Sequence, residues 1–408
     1  MRFVKWFFTA LLFAALATGC SSSAKDRKKQ IPTGQELAQK FIIVDGHIDV
    51  PYRLENNWED ISQKTGTGDF DYPRARKGGL DAPFMSIYIP ARYQETGGAK
   101  AVADSLITMV QRIASDHPDK FALANAPEDI RNHFDQGLIS LPMGMENGAP
   151  LGSDLSNVRY FYDRGIRYIT LAHSKDNKIS DSSYDMSRDT HGGLSDFGKE
   201  VVQEMNRIGM MVDVSHITDE AFNDVMEVTR APVVATHSSC RHFTPGFERN
   251  MSDPLIRRLA ENDGVIMINF GSTFLDSTSR MSADLVRDEI EAEIEKRGLK
   301  PGSEEARSFR TVYFEENFHY SNVEKVADHI DHVVDLVGID HVGLGSDYDG
   351  VGNTLPAGLK DVSTYPHLLS ELLDRGYTGE EIQKICSGNL FRVWNAVEQV
   401  ARDIQAEE

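Results

Sequence analysis

FIIVDGHID, residues 41–49, is an apolar run that ends in an imidazole flanked by carboxylates, and four later stretches end in a similar way. They are SLPMGMENG (140–148), MMVDVSH (210–216), VVATH (233–237) and HVGLGSDYDG (341–350). Apolar runs without polar alternation read as strands buried on both faces of a parallel sheet. A His, Asp or Glu just past such a run is delivered to the C-terminal rim of that sheet, where α/β enzymes keep their chemistry.

Working outward from these stretches, the chain offers eight strand candidates: 42–44, 85–89, 139–143, 168–171, 210–214, 233–235, 265–269 and 341–344. Amphipathic sequence of helical length separates them, at 99–116, 155–164, 195–208, 218–229, 254–262 and 323–337, and two more helices are expected at 362–375 and 378–401. Ser195, Thr218 and Thr378 each precede acidic residues, the pattern of an N-cap with acid in the first turn. Strict alternation over eight repeats predicts a closed (β/α)₈ TIM barrel, of the metal-dependent hydrolase type and a single large domain over residues 35–408. Two stretches exceed the repeat: 56–79, which reads as a long loop after the first strand, and 272–320, which holds a charged helix at 282–297. Long insertions after barrel strands usually form substrate walls or lids.

The N-terminus has a different composition. Arg2 and Lys5 precede an apolar stretch, 6–17, too short to span a bilayer, and Leu16-Ala17-Thr18-Gly19-Cys20 resembles a bacterial lipobox. The expectation is a lipoprotein signal peptide over 1–19, lipidation of Cys20 and a flexible polar tether over 20–34. The protein would then be exported and held by lipid on the periplasmic or outer-surface side of a bacterial cell membrane. The whole chain has 43 Lys and Arg against 63 Asp and Glu, a formal charge of −20, which argues against a nucleic-acid partner. Beyond Cys20 only Cys240 and Cys386 remain, too few for a disulfide framework. They read as buried thiols or one bridge; Cys240, three residues after His237, is also a conceivable thiolate ligand.

The chemistry-bearing residues fall into pairs. His47 and Asp49 are two apart, so in extended backbone they share a face and could hold one metal ion. Glu146 follows an apolar run, where an unpaired carboxylate is costly to bury. His216 and His237 end successive strand candidates and would lie side by side at the barrel mouth. Asp347 and Asp349 end the eighth, beside the first strand once the barrel closes, although an Asx turn explains Asp349 equally well. Imidazole and carboxylate ligands without thiolate suit a zinc site with open positions, and a bridging carboxylate suits two ions. Gly-x-Ser-x-Gly, His-Glu-x-x-His and a phosphate-binding Gly-rich loop after a strand are all missing.

The order Asp45-Gly46-His47-Ile48-Asp49-Val50-Pro51, Glu146-Asn147-Gly148, Tyr168 to His173, Val212 to His216, Pro232 to Ser239, Arg249-Asn250 and Gly345 to Val351 resembles the membrane (renal) dipeptidases, di-zinc (β/α)₈ hydrolases related to the amidohydrolases. The resemblance implies two zinc ions per subunit, one on His47 and Asp49, the other on His216 and His237, with Glu146 bridging. It implies that Asp347 manages a bridging hydroxide and meets the substrate amine, that His173 faces the developing oxyanion, and that Arg249 takes the C-terminal carboxylate of a dipeptide. Arg241 competes with Arg249 for that last role. The implied reaction is zinc-dependent hydrolysis of dipeptides to free amino acids, with a D-residue accepted at the C-terminal position; the alternative is a metal-dependent amidohydrolase acting on cyclic amide or β-lactam-like bonds. Relatives carry disulfides that this chain cannot form, so a homodimer is expected to be non-covalent.

Overall fold

Eight apolar runs pair as parallel strands: β1 (Ile43–Ile48), β2 (Leu80–Tyr88), β3 (Met143–Glu146), β4 (Ile166–Thr170), β5 (Met211–Asp213), β6 (Val234–Ser238), β7 (Val265–Ile268) and β8 (Val342–Leu344). Their order in the sheet is their order in the chain. The parallel bridge Ile48–Tyr348, with the Asp49 N–H donating to the Tyr348 carbonyl at 2.8 Å, joins the last strand to the first. Every residue of β1 and of β3 to β8 is buried, which is why these strands show no polar alternation.

The barrel interior is filled rather than hollow. Val44, Phe84, Tyr168, Val234 and Met267 pack together with Trp394 of the C-terminal helix Asn389–Glu407, and the Phe84 ring lies 5.3 Å from Tyr168 and 5.4 Å from Trp394. These residues fill the barrel below the strand ends, so the barrel interior offers room only above them, at the C-terminal rim. Gly144 on β3 makes room for this layer, since a Cβ there would lie 1.9 Å from the Tyr168 ring.

This computed structural model describes residues 32–185 and 190–408. The expected signal peptide, Cys20 and nearly all of the tether lie outside the described residues. Thr33 caps the first described helix, Gly34–Lys40, by a capping box with Glu36. Among the described residues, no helix is long and apolar enough to cross a membrane.

Three expectations need correction, and that for the insertion after β7 is borne out and extended by a second helix. The run 139–143 is two strands broken at Pro142: Ile139–Leu141 pairs with Phe121–Leu123 in a separate two-stranded sheet, and only Met143–Glu146 enters the barrel. Proline lacks the N–H that a central strand must donate, so the ladder changes partner there. The long loop 56–79 contains the helix Tyr72–Gly78. The insertion after β7 is a helical pair, Ser277–Lys296 and Glu304–Asn317, with its own small core of Val286, Ile290, Ile294 and Ala306. The helix expected at 378–401 has a wide π-type turn, Lys384–Gly388, between Gly379–Gln383 and Asn389–Glu407.

One buried histidine braces the wall behind the site. His329, on the helix Val323–Val337, accepts from the Cys240 N–H at Nδ1 (2.9 Å) and therefore donates from Nε2 to the Leu275 carbonyl (2.9 Å). Burial lowers its pKa to about 4. The unfolded chain takes up this proton near pH 6.5 and the folded chain only near 4, so stability falls as pH drops through that window. The loss should reach about 3 kcal/mol at pH 4. Urea unfolding at pH 7 and pH 4.5 should show a smaller pH dependence in His329→Asn than in the parent chain; equal dependence in the two would contradict this assignment.

Candidate active site

The strand ends converge on Glu146, the last residue of β3. Its Oε1 lies 3.1 Å from His216 Nε2, 3.3 Å from His237 Nε2 and 3.5 Å from His173 Nε2, while Oε2 lies 3.4 Å from His47 Nε2. His47 Nε2 is in turn 3.6 Å from Asp49 Oδ2. Asp347 joins His47 and Asp49 in a group whose candidate ligand atoms all lie within 4.8 Å of one another. Seven of the residues singled out above are thus brought to one point: His47, Asp49, Glu146, His173, His216, His237 and Asp347.

The backbone bends sharply to present them. Asn147, His216, Asp347 and Asp349 all have φ between 63° and 79°, the left-handed region that side chains other than glycine rarely adopt. Each such residue costs of order 1–3 kcal/mol, a strain that concentrates at functional sites. The four follow the ends of β3, β5 and β8; at His216 and Asp347 the turn aims the side chain into the cluster, whereas Asn147 and Asp349 bond to neighbouring segments.

Hydrogen-bond bookkeeping fixes which ring nitrogens are bare. The Tyr168 hydroxyl donates to the Gly46 carbonyl at 3.1 Å, so His47 Nδ1, 2.8 Å from the same oxygen, must donate to it. His47 Nε2 is left without a hydrogen-bond partner. Burial opposes a charge there, yet Tyr168 and the Glu146 and Asp49 carboxylates raise the His47 pKa well above the ordinary value, so this nitrogen favours a cation, proton or metal. His216 Nε2 and His237 Nε2 stand 2.9 Å apart, both against Glu146 Oε1. Burial, helped by the Arg249 charge, pushes the pKa of His216 well below the ordinary value; burial and the His47 charge do the same to His237. Burial opposes ionisation of Glu146 too, yet His47 and His173 hold it well below the usual carboxylate range. Acceptors packed this closely repel one another, and protons on those two histidines are disfavoured by their surroundings. A divalent cation fits: His47, Asp49 and Glu146 Oε2 could hold one, and His216, His237 and Glu146 Oε1 another.

Burial pushes the pKa of Asp347 well above the usual range, with the Asp49 charge adding to the effect. The Asn269 amide donates to Asp347 Oδ2 at 2.8 Å. Asp349 points elsewhere: its carboxylate accepts from the Asp69 N–H (2.7 Å) and from Arg53 Nε (3.0 Å), latching the 56–79 insertion to the rim. His173, 20 % exposed at its side chain, meets the Tyr88 ring edge-on.

The two arginines separate clearly. Arg241 is spent on a two-pronged pair with Asp219 (2.7 and 2.6 Å) and on the Asn250 and Glu248 carbonyls. Arg249 is buried behind His216; one guanidinium nitrogen donates to Ser238 Oγ (2.8 Å), another contacts the His237 carbonyl (2.8 Å) and His216 Nε2 (3.1 Å), and its Nε has no partner. Cys240 and Cys386 are free and buried. The Cys240 thiol contacts the His329 carbonyl at 3.6 Å, and burial raises its pKa, so it is no ligand.

A cavity of about 630 Å³ opens over this cluster, walled by Tyr52, Tyr88, Tyr184, Phe274 and Arg287. Phe274 and Arg287 belong to the 272–320 insertion, where a substrate wall was expected; Tyr52, Tyr88 and Tyr184 were not singled out, nor were the groups behind the ligands: Tyr168, Asp213, Thr236 and Asn269. Asp213 did carry a signal, being a carboxylate inside the apolar run MMVDVSH.

A closed eightfold barrel with buried imidazoles and carboxylates at its C-terminal rim defines a metal-dependent hydrolase. Residues 32–408 match the family described as membrane dipeptidase (peptidase family M19), and the chain belongs to it as a metallopeptidase of the dipeptidase type. It is 36 % identical over 344 residues to the dipeptidase aclJ of Aspergillus oryzae, covering 83 % of this chain and 72 % of that one. It is 32 % identical to an uncharacterized dipeptidase of Schizosaccharomyces pombe, covering 89 % and 83 %. Among solved structures, the probable dipeptidase PvdM of Pseudomonas aeruginosa superposes with a TM-score of 0.78 at 28 % identity, over 90 % of this chain and 98 % of that one. A metallopeptidase of Rhodobacter sphaeroides, solved with a phosphinate mimic of L-Ala-D-Ala, gives 0.72 at 26 %, over 88 % and 99 %.

Metal should hold the folded state together as well as serve catalysis. Supplied at a thousandfold its dissociation constant, a divalent ion that binds only the folded chain stabilises by about 4 kcal/mol. Thermal unfolding with and without a chelator should therefore differ by several degrees; identical melting curves would contradict a buried metal centre.

Proposed function

We propose that the chain is a zinc-dependent dipeptidase that binds two zinc ions and releases free amino acids, with a D-residue accepted at the C-terminal position. One observation carries the two-ion reading: Glu146 turns one oxygen to His216 and His237 and the other to His47. Zinc bound there supplies a water that ionises near neutral pH and a Lewis acid for the scissile carbonyl. The protein does the rest. Asp347, steadied by Asn269, takes the proton of the attacking water, passes it to the leaving amine and meets the substrate's free amino group. His173 donates toward the developing oxyanion, worth roughly 3 to 4 kcal/mol for one such donor. Arg249 offers the planar fork that a terminal carboxylate fits. The mimic of L-Ala-D-Ala held by the Rhodobacter sphaeroides structure supports the D-residue reading.

The second reading, hydrolysis of cyclic amide or β-lactam-like bonds, draws on Arg249 being already bonded within the wall. Rates on L-Ala-L-Ala, L-Ala-D-Ala and their C-terminal amides decide between the two. Arg249→Ala should cost free dipeptides about 2–5 kcal/mol, a fall of at least about 30-fold, and leave the slow hydrolysis of the amides unchanged. Equal rates on amide and acid, unaffected by the substitution, would favour the cyclic substrates.

Export and anchoring through a lipid on Cys20 rest on Arg2, Lys5, the apolar stretch 6–17 and Leu16-Ala17-Thr18-Gly19-Cys20. Both remaining cysteines are buried, so a homodimer would be held without disulfides. In cells, Cys20→Ser should move the protein from the detergent phase to the aqueous phase on phase separation; retention in the detergent phase would refute the lipid.

A further inference from the structure

Asp213 ends β5 between two neighbours and is fully buried. Its Oδ1 accepts the backbone N–H groups of Ser215 and Thr236, each at 3.0 Å. Its Oδ2 accepts the hydroxyls of Thr170, from β4, at 2.5 Å and of Thr236, from β6, at 2.7 Å. Two N–H groups and two hydroxyls occupy all four lone-pair sites of a carboxylate. The Thr236 hydroxyl has one hydrogen, and Asp213 receives it. His237 Nδ1 lies 2.8 Å from that same Thr236 oxygen and must therefore be the donor. The proton of His237 thus sits on Nδ1, leaving Nε2 bare and turned to Glu146 Oε1 at 3.3 Å.

We infer that Asp213, acting through the Thr236 hydroxyl, is a positioning residue that locks His237 in the tautomer able to bind metal. It also fixes the ring's tilt, because β4, β5 and β6 each contribute a member of the relay. The other ring nitrogen of a ligating histidine commonly finds such a partner, and losing it weakens metal binding about 10- to 100-fold. His216 has no equivalent: its Nδ1 is buried without a hydrogen-bond partner. The affinity of this half of the centre therefore depends on the His237 relay.

Asp213→Asn tests the idea with almost no change of shape. The two backbone N–H groups can only donate, so the side-chain oxygen must stay with them and the new NH₂ must face the hydroxyls. Thr236 then accepts from that amide, its hydrogen turns to His237 Nδ1, and the ring proton is driven to Nε2, where the metal would bind. Thr236→Val removes the relay, whereas Thr236→Ser keeps it.

The inference rests on the two-ion reading above, and the full-length protein separates the two. Elemental analysis after dialysis against graded chelator should show Asp213→Asn and Thr236→Val losing one ion per chain at a chelator strength about 10- to 100-fold lower than the parent, with Thr236→Ser like the parent. Long-range ¹H–¹⁵N spectra of the metal-free histidines should place the His237 proton on Nδ1 in the parent and on Nε2 in Asp213→Asn. Unchanged metal retention in both weakening variants, or an Nε2 proton in the parent, overturns the inference. If Asp213→Asn does not fold, the contrast between Thr236→Val and Thr236→Ser carries the test. A parent that holds no metal at all refutes the two-ion reading, and the ring spectra still judge the tautomer.

Discussion

The whole rim is organised around one electrostatic problem: a buried carboxylate, Glu146, crowded by the ring nitrogens of three buried histidines. Glu146 is 3 % exposed and His47, His216 and His237 crowd it at 3.1 to 3.4 Å. Left to itself, such a group would spread apart or take up protons; the barrel opposes the first, and burial opposes the second at His216 and His237, while the Glu146 and Asp49 carboxylates favour a cation at His47. The strands that carry these side chains are locked into a closed barrel packed solid beneath them. Burial and the neighbouring cations push the pKa values of His216 and His237 down. Divalent metal, which the family implies, would resolve the conflict, and the strained turns after β5 and β8 aim His216 and Asp347 at the same point.

Stability and function meet in the same hydrogen bonds. Tyr168 belongs to the apolar layer that fills the barrel and also holds His47 by its hydroxyl. Asp213 ties three neighbouring strands together and, through Thr236, holds His237. Asp349 latches an insertion to the rim two residues from Asp347. The groups that shape the ligands are therefore parts of the fold, and the cavity above them is left to Tyr52, Tyr88, Tyr184, Phe274 and Arg287, free to suit a substrate.

Much of this was legible in the residues alone, because parallel strands buried on both faces leave a plain apolar trace and a polar residue at the end of each trace has few structural excuses. His47, Glu146, His216 and His237 were readable for that reason. The break at Pro142 was not, since 139–143 is apolar throughout and only the identity of the pairing partner divides it. Nor were the partners of the two arginines: the resemblance favoured Arg249 over Arg241, but no spacing shows that Asp219 claims Arg241. Asp213 and Thr236 were hidden because their role is a hydrogen-bond direction, which no spacing rule encodes.

The central claim is that two cations, joined by Glu146, make this rim a peptide-cleaving site. It is tested most directly by adding zinc stepwise to the metal-free protein while following the release of amino acids from L-Ala-D-Ala. The account predicts that activity climbs from nothing and levels off at two equivalents per chain. Full activity in the metal-free protein, or a plateau at one equivalent, would contradict it.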